Sequence, residues 1–229
     1  MRALSDTGHP RGPGRRRGAD QRTRRRLLGA ASALFAERAF DEVTVRELCR
    51  AARANVAAVN YHFGDKFGLY AAVVELAIAT MRAGREEDER REGPAEARLR
   101  EYVRTFLERL SDRGEHSWIH RLIHREIENP TPALDRLVER AIRPRLDYLG
   151  ALVAEMMGCP RHDERVHRVV ASIQGQCLVY THTSLLSRLL PRWRPTPAAL
   201  AEVAEHIAAF SAAGMRALRA GRPSPQGGA

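Results

Sequence analysis

The segment from Thr44 to Lys66 reads TVRELCRAARANVAAVNYHFGDK, and it decides the fold. Its first half places apolar residues at positions i, i+3, i+4 and i+7, which gives a short helix one buried face: Val45, Leu48, Cys49 and Ala52. A tight connection, 53–55, leads to a second short helix that buries Val56 or Val59 together with Phe63. Two short helices joined by about three residues fit a helix-turn-helix, although another helical hairpin satisfies the same periodicity.

Helical periodicity continues outward from this segment, and no alternating strand pattern of useful length is present. The pattern predicts helices at 22–39, 44–52, 55–62, 65–90, 94–112, 117–128, 132–158, 163–190 and 197–219. Thr44 and Glu47 form a capping box, and Thr131 and Thr196 are N-caps followed by proline. Pro144 is expected to kink or split the helix around it. The predicted fold class is all-α.

Positive charge is concentrated near the start of the chain. Residues 1–66 hold 14 Arg and Lys against 7 Asp and Glu, whereas residues 67–229 hold 24 against 21. Such asymmetry is typical of a protein whose one end meets a polyanion. The arginines of this end are expected to follow the DNA backbone or to enter a flanking minor groove: Arg15, Arg16, Arg17, Arg22, Arg24, Arg25 and Arg26. The alternative is that the first three of them belong to a solvated flexible tail.

The remaining composition indicates a cytoplasmic protein. The three cysteines, Cys49, Cys159 and Cys177, are widely spaced and contain no Cys-x-x-Cys pair, which argues against a disulfide framework. Residues 24–36 imitate a signal peptide, but their apolar positions have helical spacing and charged residues follow at once. No run approaches the roughly 18 apolar residues of a membrane span.

The order of residues around the two short helices resembles the N-terminal domain of TetR-family transcriptional regulators. The resemblance covers residues 22–70 and rests on Leu34-Phe35, Phe40-x-x-Val43-Thr44-Val45-Arg46-Glu47-Leu48 and Val59-Asn60-Tyr61-His62-Phe63-Gly64-Asp65-Lys66-x-x-Leu69. It implies a three-helix DNA-binding head at 21–66 after a disordered basic arm at 1–20. It also implies that the second short helix enters the major groove.

The same resemblance implies which side chains meet DNA. The Thr44 hydroxyl and nearby amides are expected to bind phosphate at a helix N-terminus. Tyr61, His62 and Lys66 are expected to clamp phosphates, and Tyr61 to touch a base as well. Many family members carry Tyr at the position of Asn60, which leaves open which residues recognise bases. The implied DNA-binding set is Thr44, Arg46, Asn55, Val56, Ala57, Ala58, Asn60, Tyr61, His62 and Lys66.

The larger C-terminal region resembles the regulatory domain of CecR-type members of that family. The matching stretches are Leu122-Ile123-x-Arg125-Glu126, Pro130-Thr131-Pro132-Ala133-Leu134-Asp135, Ile142-Arg143-Pro144 and Ser172-Ile173-x-Gly175-Gln176-Cys177. The resemblance implies a helical domain at 67–221 that binds a small effector and dimerises through its last two helices. Residues 222–229 are expected to form a disordered tail.

The residues themselves also indicate a homodimer. The final helix combines Leu200, Val203, Ile207 and Phe210 with many alanines, and a helix that is apolar around most of its circumference is usually buried. Gly175 in the preceding helix lowers helix stability by about 1 kcal/mol relative to Ala, so it indicates close approach of a partner helix or a ligand. A monomer with an alanine-rich core helix is the alternative.

An effector pocket is expected to mix apolar walls with a few polar groups. The candidates, each of which is alternatively a plain core residue, are Trp118, Leu122, His120, His124, Tyr148, Gln174, Tyr180 and His182. His116, His120 and His124 have metal-compatible spacing but flank an apolar stripe, which favours a boundary row of histidines over a metal site.

These patterns predict a repressor that binds a palindromic operator in double-stranded DNA as a homodimer and is released by a small molecule. No cofactor, metal or membrane is expected. One alternative is an architectural DNA-binding protein with a solid C-terminal core and no effector. An enzyme is the other, but Glu164-x-x-His167 supplies only one of the two Glu-x-x-His pairs that a di-iron bundle needs.

Overall fold

A computed structural model describes residues 13–111, 114, 116–181, 186, 188–190 and 192–220, with the backbone alone at 13–17 and 181. Over these ranges the regular elements are all helical, as predicted. They are α1 (Pro13–Glu37), a 3-10 turn (Phe40–Glu42), α2 (Val45–Ala52), α3 (Val56–Phe63), α4 (Lys66–Glu89), α5 (Ala95–Ser111), α6 (Ser117–Glu128), α7 (Leu134–Leu137), a π turn (Val138–Ile142), α8 (Arg143–Met157), α9 (Glu164–Leu178), a 3-10 turn (Val179–Thr181) and α10 (Pro197–Ala220).

The first helix begins earlier than its apolar periodicity predicts. We expected a disordered arm at 1–20, and this is wrong for residues 13–20, which form the first turns of α1. Pro13 suits a first helical position because its missing N–H would have no partner there, and arginine is a good helix former. Residues 1–12 and the predicted tail at 222–229 lie outside the described residues.

The chain divides into two compact units. The head unit holds the residues up to Glu75 together with Arg121–Thr131, and the C-terminal unit holds Leu76–His120 and the residues from Pro132 onward. This corrects the predicted boundary at residue 66. The first part of α4 and the last part of α6 pack with the head, since both contribute residues to its core.

In the head, α1, α2 and α3 enclose a small core. The fully buried side chains Leu27, Leu48 and Val59 come one from each helix. Phe35 and Phe40 pack edge-on against Tyr70, with ring centres 4.8 and 5.1 Å away. Such edge-to-face contacts stabilise aromatic clusters beyond their burial, so the aromatic cluster fixes α1, the first 3-10 turn and α4 around one another.

The junction between α3 and α4 requires two glycines. Gly64 ends α3 with φ +85°, a conformation that costs glycine little. At Gly68 a Cβ atom would lie 1.9 Å from the Phe63 carbonyl oxygen. The backbones of α3 and α4 therefore approach each other at a distance that only glycine permits.

A buried carboxylate joins the end of α6 to the head. Glu126 accepts a hydrogen bond from the Tyr70 hydroxyl, and its Oε1 accepts from the amide and the hydroxyl of Thr131, each at 2.7 Å. Burial and this neighbouring carboxylate raise the pKa of Tyr70, so the phenol keeps its proton and remains a donor. The prediction that Thr131 caps the next helix is wrong, because α7 begins at Leu134 with Ala133 before it.

In the C-terminal unit, α5, α8, α9 and α10 pack around a single core. Each helix contributes fully or nearly fully buried apolar side chains, including Leu99, Leu149, Leu152, Ile173 and Ile207. Thr196 caps α10 by accepting from the Ala199 amide at 3.2 Å, as predicted. All three cysteines are free, which agrees with the expected absence of a disulfide framework.

Pro144 splits its helical segment, as predicted. The chain passes from α7 through the π turn Val138–Ile142 into α8, and the Arg143 amide donates to the Val138 carbonyl. In an uninterrupted α-helix the ring of a proline collides with the carbonyl four residues earlier. The wider π turn accommodates the ring without ending the helical segment.

Candidate DNA-binding interface

One face of α3 is largely exposed in the part of the chain that the structure describes. Val59 points into the core, whereas Val56 is 47% exposed and Tyr61 is 76% exposed. Ala57 and Asn60 are also exposed on this face, and Ala58 is half-buried. Of the two alternatives for Val56, the surface position is therefore the observed one.

The turn before α3 is built from two residues with distinct tasks. Arg53 ends α2 in the left-handed region at φ 49°, the one such non-glycine residue in the described ranges. Asn55 caps α3 because its Oδ1 accepts from the Ala58 amide at 2.8 Å. One lone pair of this oxygen is used within the protein, and the amide nitrogen of Asn55 has no bond in the described residues, which leaves it as a donor for DNA.

The predicted capping box at the start of α2 is confirmed, and it changes the expected role of Thr44. The Glu47 carboxylate accepts from the Thr44 amide at 2.8 Å and from the Thr44 hydroxyl at 2.7 Å. These two bonds, with Arg38 at 3.0 Å, hold the pKa of Glu47 at about 2. An anion already occupies this helix end, so the Thr44 hydroxyl and amide are not free donors for phosphate.

The single lysine also has internal partners. The Lys66 ammonium donates to the carbonyl oxygens of Phe40 and Val43 at 2.9 and 3.0 Å. Two of its three N–H bonds are therefore used inside the head. This cation joins α4 to the turn before α2, and its expected role as a phosphate clamp stays a prediction that rests on the third N–H.

His62 also has a neighbour inside the head, and its expected contact with phosphate stays a prediction. Its side chain is only 7% exposed, and its Nε2 lies 3.4 Å from the Asp20 carboxylate on α1. The imidazole therefore faces α1 and not the open face of α3. Of these two neighbouring residues, Tyr61 is the one whose ring is exposed to solvent.

A groove of about 650 Å³ borders α3 and runs towards the first turns of α1. Two arginines line it, Arg26 from α1 and Arg53 from the turn, together with Asn55 and Tyr61. Arg46 is exposed at the start of α2. The sequence analysis did not select Arg53. Its place in the connection between the two short helices could have identified it.

The expected effector residues do not form one set. Leu122 belongs to the head unit and is completely buried, and His124, also in the head unit, is exposed with its Nε2 3.3 Å from Glu128. These two are core and surface residues of the head, which corrects their assignment to a pocket. Trp118 and His120 are half-buried in the C-terminal unit, and His182 lies outside the described residues.

Tyr148, Gln174 and Tyr180 are placed in the C-terminal unit. The Tyr180 ring packs on Trp193 at 5.4 Å between centres. Tyr148 donates to the Asp88 carbonyl and lines an open groove of about 740 Å³ with Arg98, Leu152 and Cys159. Gln174 donates to the hydroxyl of Tyr102, a core residue that sequence reasoning did not select.

Two further observations bear on the predictions. In the described ranges no three His, Cys, Asp or Glu side chains lie close enough together to hold a metal ion. α4 is long and apolar enough to cross a membrane by length and composition, contrary to our count of apolar runs. However, its residues Leu69, Val73 and Ala77 are completely buried within the protein, as in a core helix.

Comparison with known proteins agrees with this architecture. Residues 27–73 match the model of bacterial regulatory proteins of the tetR family, and residues 95–215 match the C-terminal domain of the HTH-type transcriptional dual regulator CecR. That regulator from Shigella flexneri is 29% identical over 171 residues, covering 70% of this chain and 76% of the relative.

Solved structures show the same fold. The fatty acid degradation regulator FadR from Bacillus halodurans aligns with a TM-score of 0.62 at 12% identity, covering 91% of this chain and 99% of its own. A tetR-family regulator from Streptomyces coelicolor aligns with a TM-score of 0.55 at 22% identity, covering 87% of each chain. The matching family and this relative are transcriptional regulators, not enzymes. This chain therefore belongs to the TetR family of DNA-binding transcriptional regulators and carries a CecR-type C-terminal domain.

Proposed function

We propose that this protein is a cytoplasmic repressor that binds a palindromic operator as a homodimer and releases it when a small molecule binds the C-terminal unit. The observation that carries the proposal is the free face of α3. It presents one large aromatic side chain, Tyr61, beside small apolar and amide side chains, on a helix short enough to lie in a major groove.

Phosphate contacts in this proposal come from the rim of that face. Arg26, Arg46 and Arg53 supply cations around it, and Tyr61 supplies a hydroxyl. Thr44, His62 and Lys66 hold the head together and act on DNA mainly through the residues they position. Contacts with phosphates set the register and orientation of a protein on DNA, but they carry no sequence information.

Base recognition then falls to the centre of α3. Val56 and Ala57 suit the methyl groups of thymine, and Asn60 suits the edge of an adenine. All three side chains are exposed on the same face as Tyr61. The Asn55 amide nitrogen, left over from the cap, is a further donor at the N-terminal end of the helix.

The dimer is supported by an apolar outer surface on the last two helices. Phe210 on α10 is 64% exposed, and Leu178 at the end of α9 is 41% exposed. Both helices also carry small residues. One of them is Gly175 on α9, where a Cβ atom would meet nothing within 4 Å. An isologous pairing of two helices from each protomer would cover this surface.

Release by an effector requires that the effector prefer one conformation of the dimer. A ligand shifts the equilibrium only by its difference in affinity between the DNA-bound and free arrangements. In this proposal, the favoured arrangement no longer places the two copies of α3 in successive major grooves.

Selection of bound fragments from random duplex DNA tests the first part of the proposal. We expect an inverted repeat whose half-sites are about 34–36 Å apart, or a multiple of that spacing. Recovery of fragments with no shared sequence would contradict it and support the architectural alternative. The selected operator, placed between a promoter and a reporter gene, then tests repression. The relative from Shigella flexneri is named a dual regulator, so increased reporter expression would overturn the repressor assignment.

A further inference from the structure

A cation without an anionic partner lies against the core of the C-terminal unit. The Arg145 guanidinium, on the first turn of α8, lies 3.8 Å from the centre of the Phe106 ring and 5.3 Å from that of Tyr102. Its Nη2 is buried and has no hydrogen-bond partner, and no carboxylate of the described residues pairs with it. Burial of a guanidinium nitrogen without a hydrogen-bond partner is costly, and contact with aromatic faces offsets only part of that cost.

The groups around Arg145 add donors and no carboxylate. The Tyr102 hydroxyl accepts from Arg145 Nε at 3.2 Å and from Gln174 Nε2 at 2.8 Å. A hydroxyl oxygen has two lone pairs, so both are used and its own O–H is left to donate. Three helices, α5, α8 and α9, thus direct a positive charge and an unused hydroxyl proton to one place.

The walls of this place are apolar and uncharged. Tyr102 is 1% exposed and Phe106 is 7% exposed, and Ile173 and Cys177 on α9 are completely buried. Burial raises the pKa of Cys177 to about 12, although Arg145 lies near enough to oppose the shift, so the thiol is neutral and supplies no counter-charge. A molecule that complements both the guanidinium and the apolar walls has an anionic head and an apolar body.

We propose that Arg145, Tyr102 and Gln174 form the recognition site for an organic carboxylic acid. One carboxylate oxygen accepts from Arg145 Nη2 and the other from the Tyr102 hydroxyl, while the apolar body packs on the Phe106 side of the core. Arginine suits this task because its planar donors match the two oxygens of a carboxylate. The site deepens the proposed function and rests on it for the effect on DNA, although not for binding itself.

The proposed site and the proposed dimer surface share helix α9. Gln174 lies on α9 next to Gly175 and one turn before Leu178, two exposed residues of the outer surface proposed for dimerisation. Because Arg145 Nη2 is closed off from solvent, an acid binds only after α8 and α9 shift. Binding of the acid is therefore coupled to the position of α9. The acid then has different affinities for the two arrangements of the dimer, as release requires.

Calorimetric titration of the full-length protein, without DNA, tests the site. The ligands are octanoate and 4-phenylbutyrate, each compared with its uncharged amide, and inorganic sulfate as an oxyanion without an apolar body. We expect both acids to bind at least tenfold more tightly than their amides and sulfate not to bind. Equal affinity for acid and amide, equal affinity for sulfate, or no binding of either acid at millimolar concentration would overturn the proposal.

Three variants assign the binding to named groups. In Arg145→Met the preference for acid over amide is expected to vanish, with a melting temperature no lower than that of the wild type, since the cation lacks a counter-ion. Tyr102→Phe keeps the ring and is expected to bind the acids about tenfold more weakly. Arg98→Met, which removes a cation already paired with Glu155, is the matched control and should keep the preference. A preserved preference in Arg145→Met would refute the site.

A mobility-shift assay on the selected operator separates this proposal from the previous one. Acid that binds in the calorimeter without releasing DNA would leave the site standing and refute effector release by this ligand class. Release by an uncharged molecule, with no binding of the acids, would refute the site and leave the repressor mechanism standing.

Discussion

The ammonium group of Lys66 lies 4.1 Å from the centre of the Phe40 ring and 2.9 Å from the carbonyl oxygen of the same residue. A second bond, to the Val43 carbonyl, satisfies the end of the 3-10 turn that precedes α2. One cation therefore joins the start of α4 to the turn that positions the helix-turn-helix. We therefore expect Lys66 to contribute to DNA binding mainly through the shape of the head.

Replacement of Lys66 by methionine is expected to destabilise the protein by about 2 kcal/mol, because two carbonyl groups lose a charged donor. The effect is measurable as a lower midpoint in thermal or denaturant unfolding. Operator binding should fall in proportion to the folded fraction and recover on cooling. An unchanged unfolding midpoint with lost DNA binding would instead show that Lys66 acts directly on phosphate.

Tyr61→Ala is expected to give the opposite pattern. The side chain is 76% exposed and makes no core contact, so the unfolding midpoint should stay within about 0.5 kcal/mol of the wild type. Loss of a phosphate and base contact should weaken operator binding at least tenfold in a mobility-shift assay. Tyr61→Phe separates the hydroxyl from the ring. Unaltered binding by Tyr61→Ala would remove α3 as the recognition helix.

Gly68→Ala is expected to cost about 2 kcal/mol or more, because the added Cβ would lie 1.9 Å from the Phe63 carbonyl oxygen and force α3 away from α4. Gly29→Ala is the matched control, since a Cβ there meets nothing within 4 Å in the middle of α1. That substitution should stabilise the protein by up to about 1 kcal/mol. Chemical denaturation of both variants measures the difference. Equal effects in the two variants would contradict the close approach.

The Tyr70 hydroxyl and the Glu126 carboxylate are expected to behave as one unit. Tyr70→Phe leaves the buried carboxylate with only Thr131 as donor, and Glu126→Gln weakens the acceptor, so each should destabilise the protein by about 1–3 kcal/mol. The double variant should lose less than the sum of the two. Additive losses in a double-mutant cycle of unfolding free energies would show that the two groups act independently.

Phe210→Arg is expected to convert the protein into a monomer, since it places a charge in the centre of the outer surface of α10. Light scattering after size-exclusion chromatography measures the mass. Ile127→Arg is the control, because Ile127 is similarly exposed, at 59% against 64%, but lies on α6. A dimer that survives Phe210→Arg would place the interface elsewhere.

Local patterns predicted the elements well and the tasks of polar side chains poorly. Periodicity located α2, α3 and α6, and the capping box of α2 and Pro144 were visible as residue types at fixed spacing. The partners of Lys66 lie 23 and 26 residues earlier, and Glu126 meets Tyr70 across 56 residues. Spacing along a chain carries no information about such distant pairs. Arg145 was missed because an unpaired buried cation is recognised only once its surroundings are known.

The π turn before α8 has a consequence for rotation. A π turn holds one residue more than an α turn, and each residue advances an α-helix by about 100°. If Val138–Ile142 relaxed into α geometry, the surplus residue would have to turn α7 or α8 about its axis by that amount. Either Leu137 would leave its core or Arg145 would swing away from Phe106. The ring of Pro144 opposes that relaxation. Pro144 therefore fixes the rotation of α8 about its axis, and with it the direction in which the Arg145 guanidinium points.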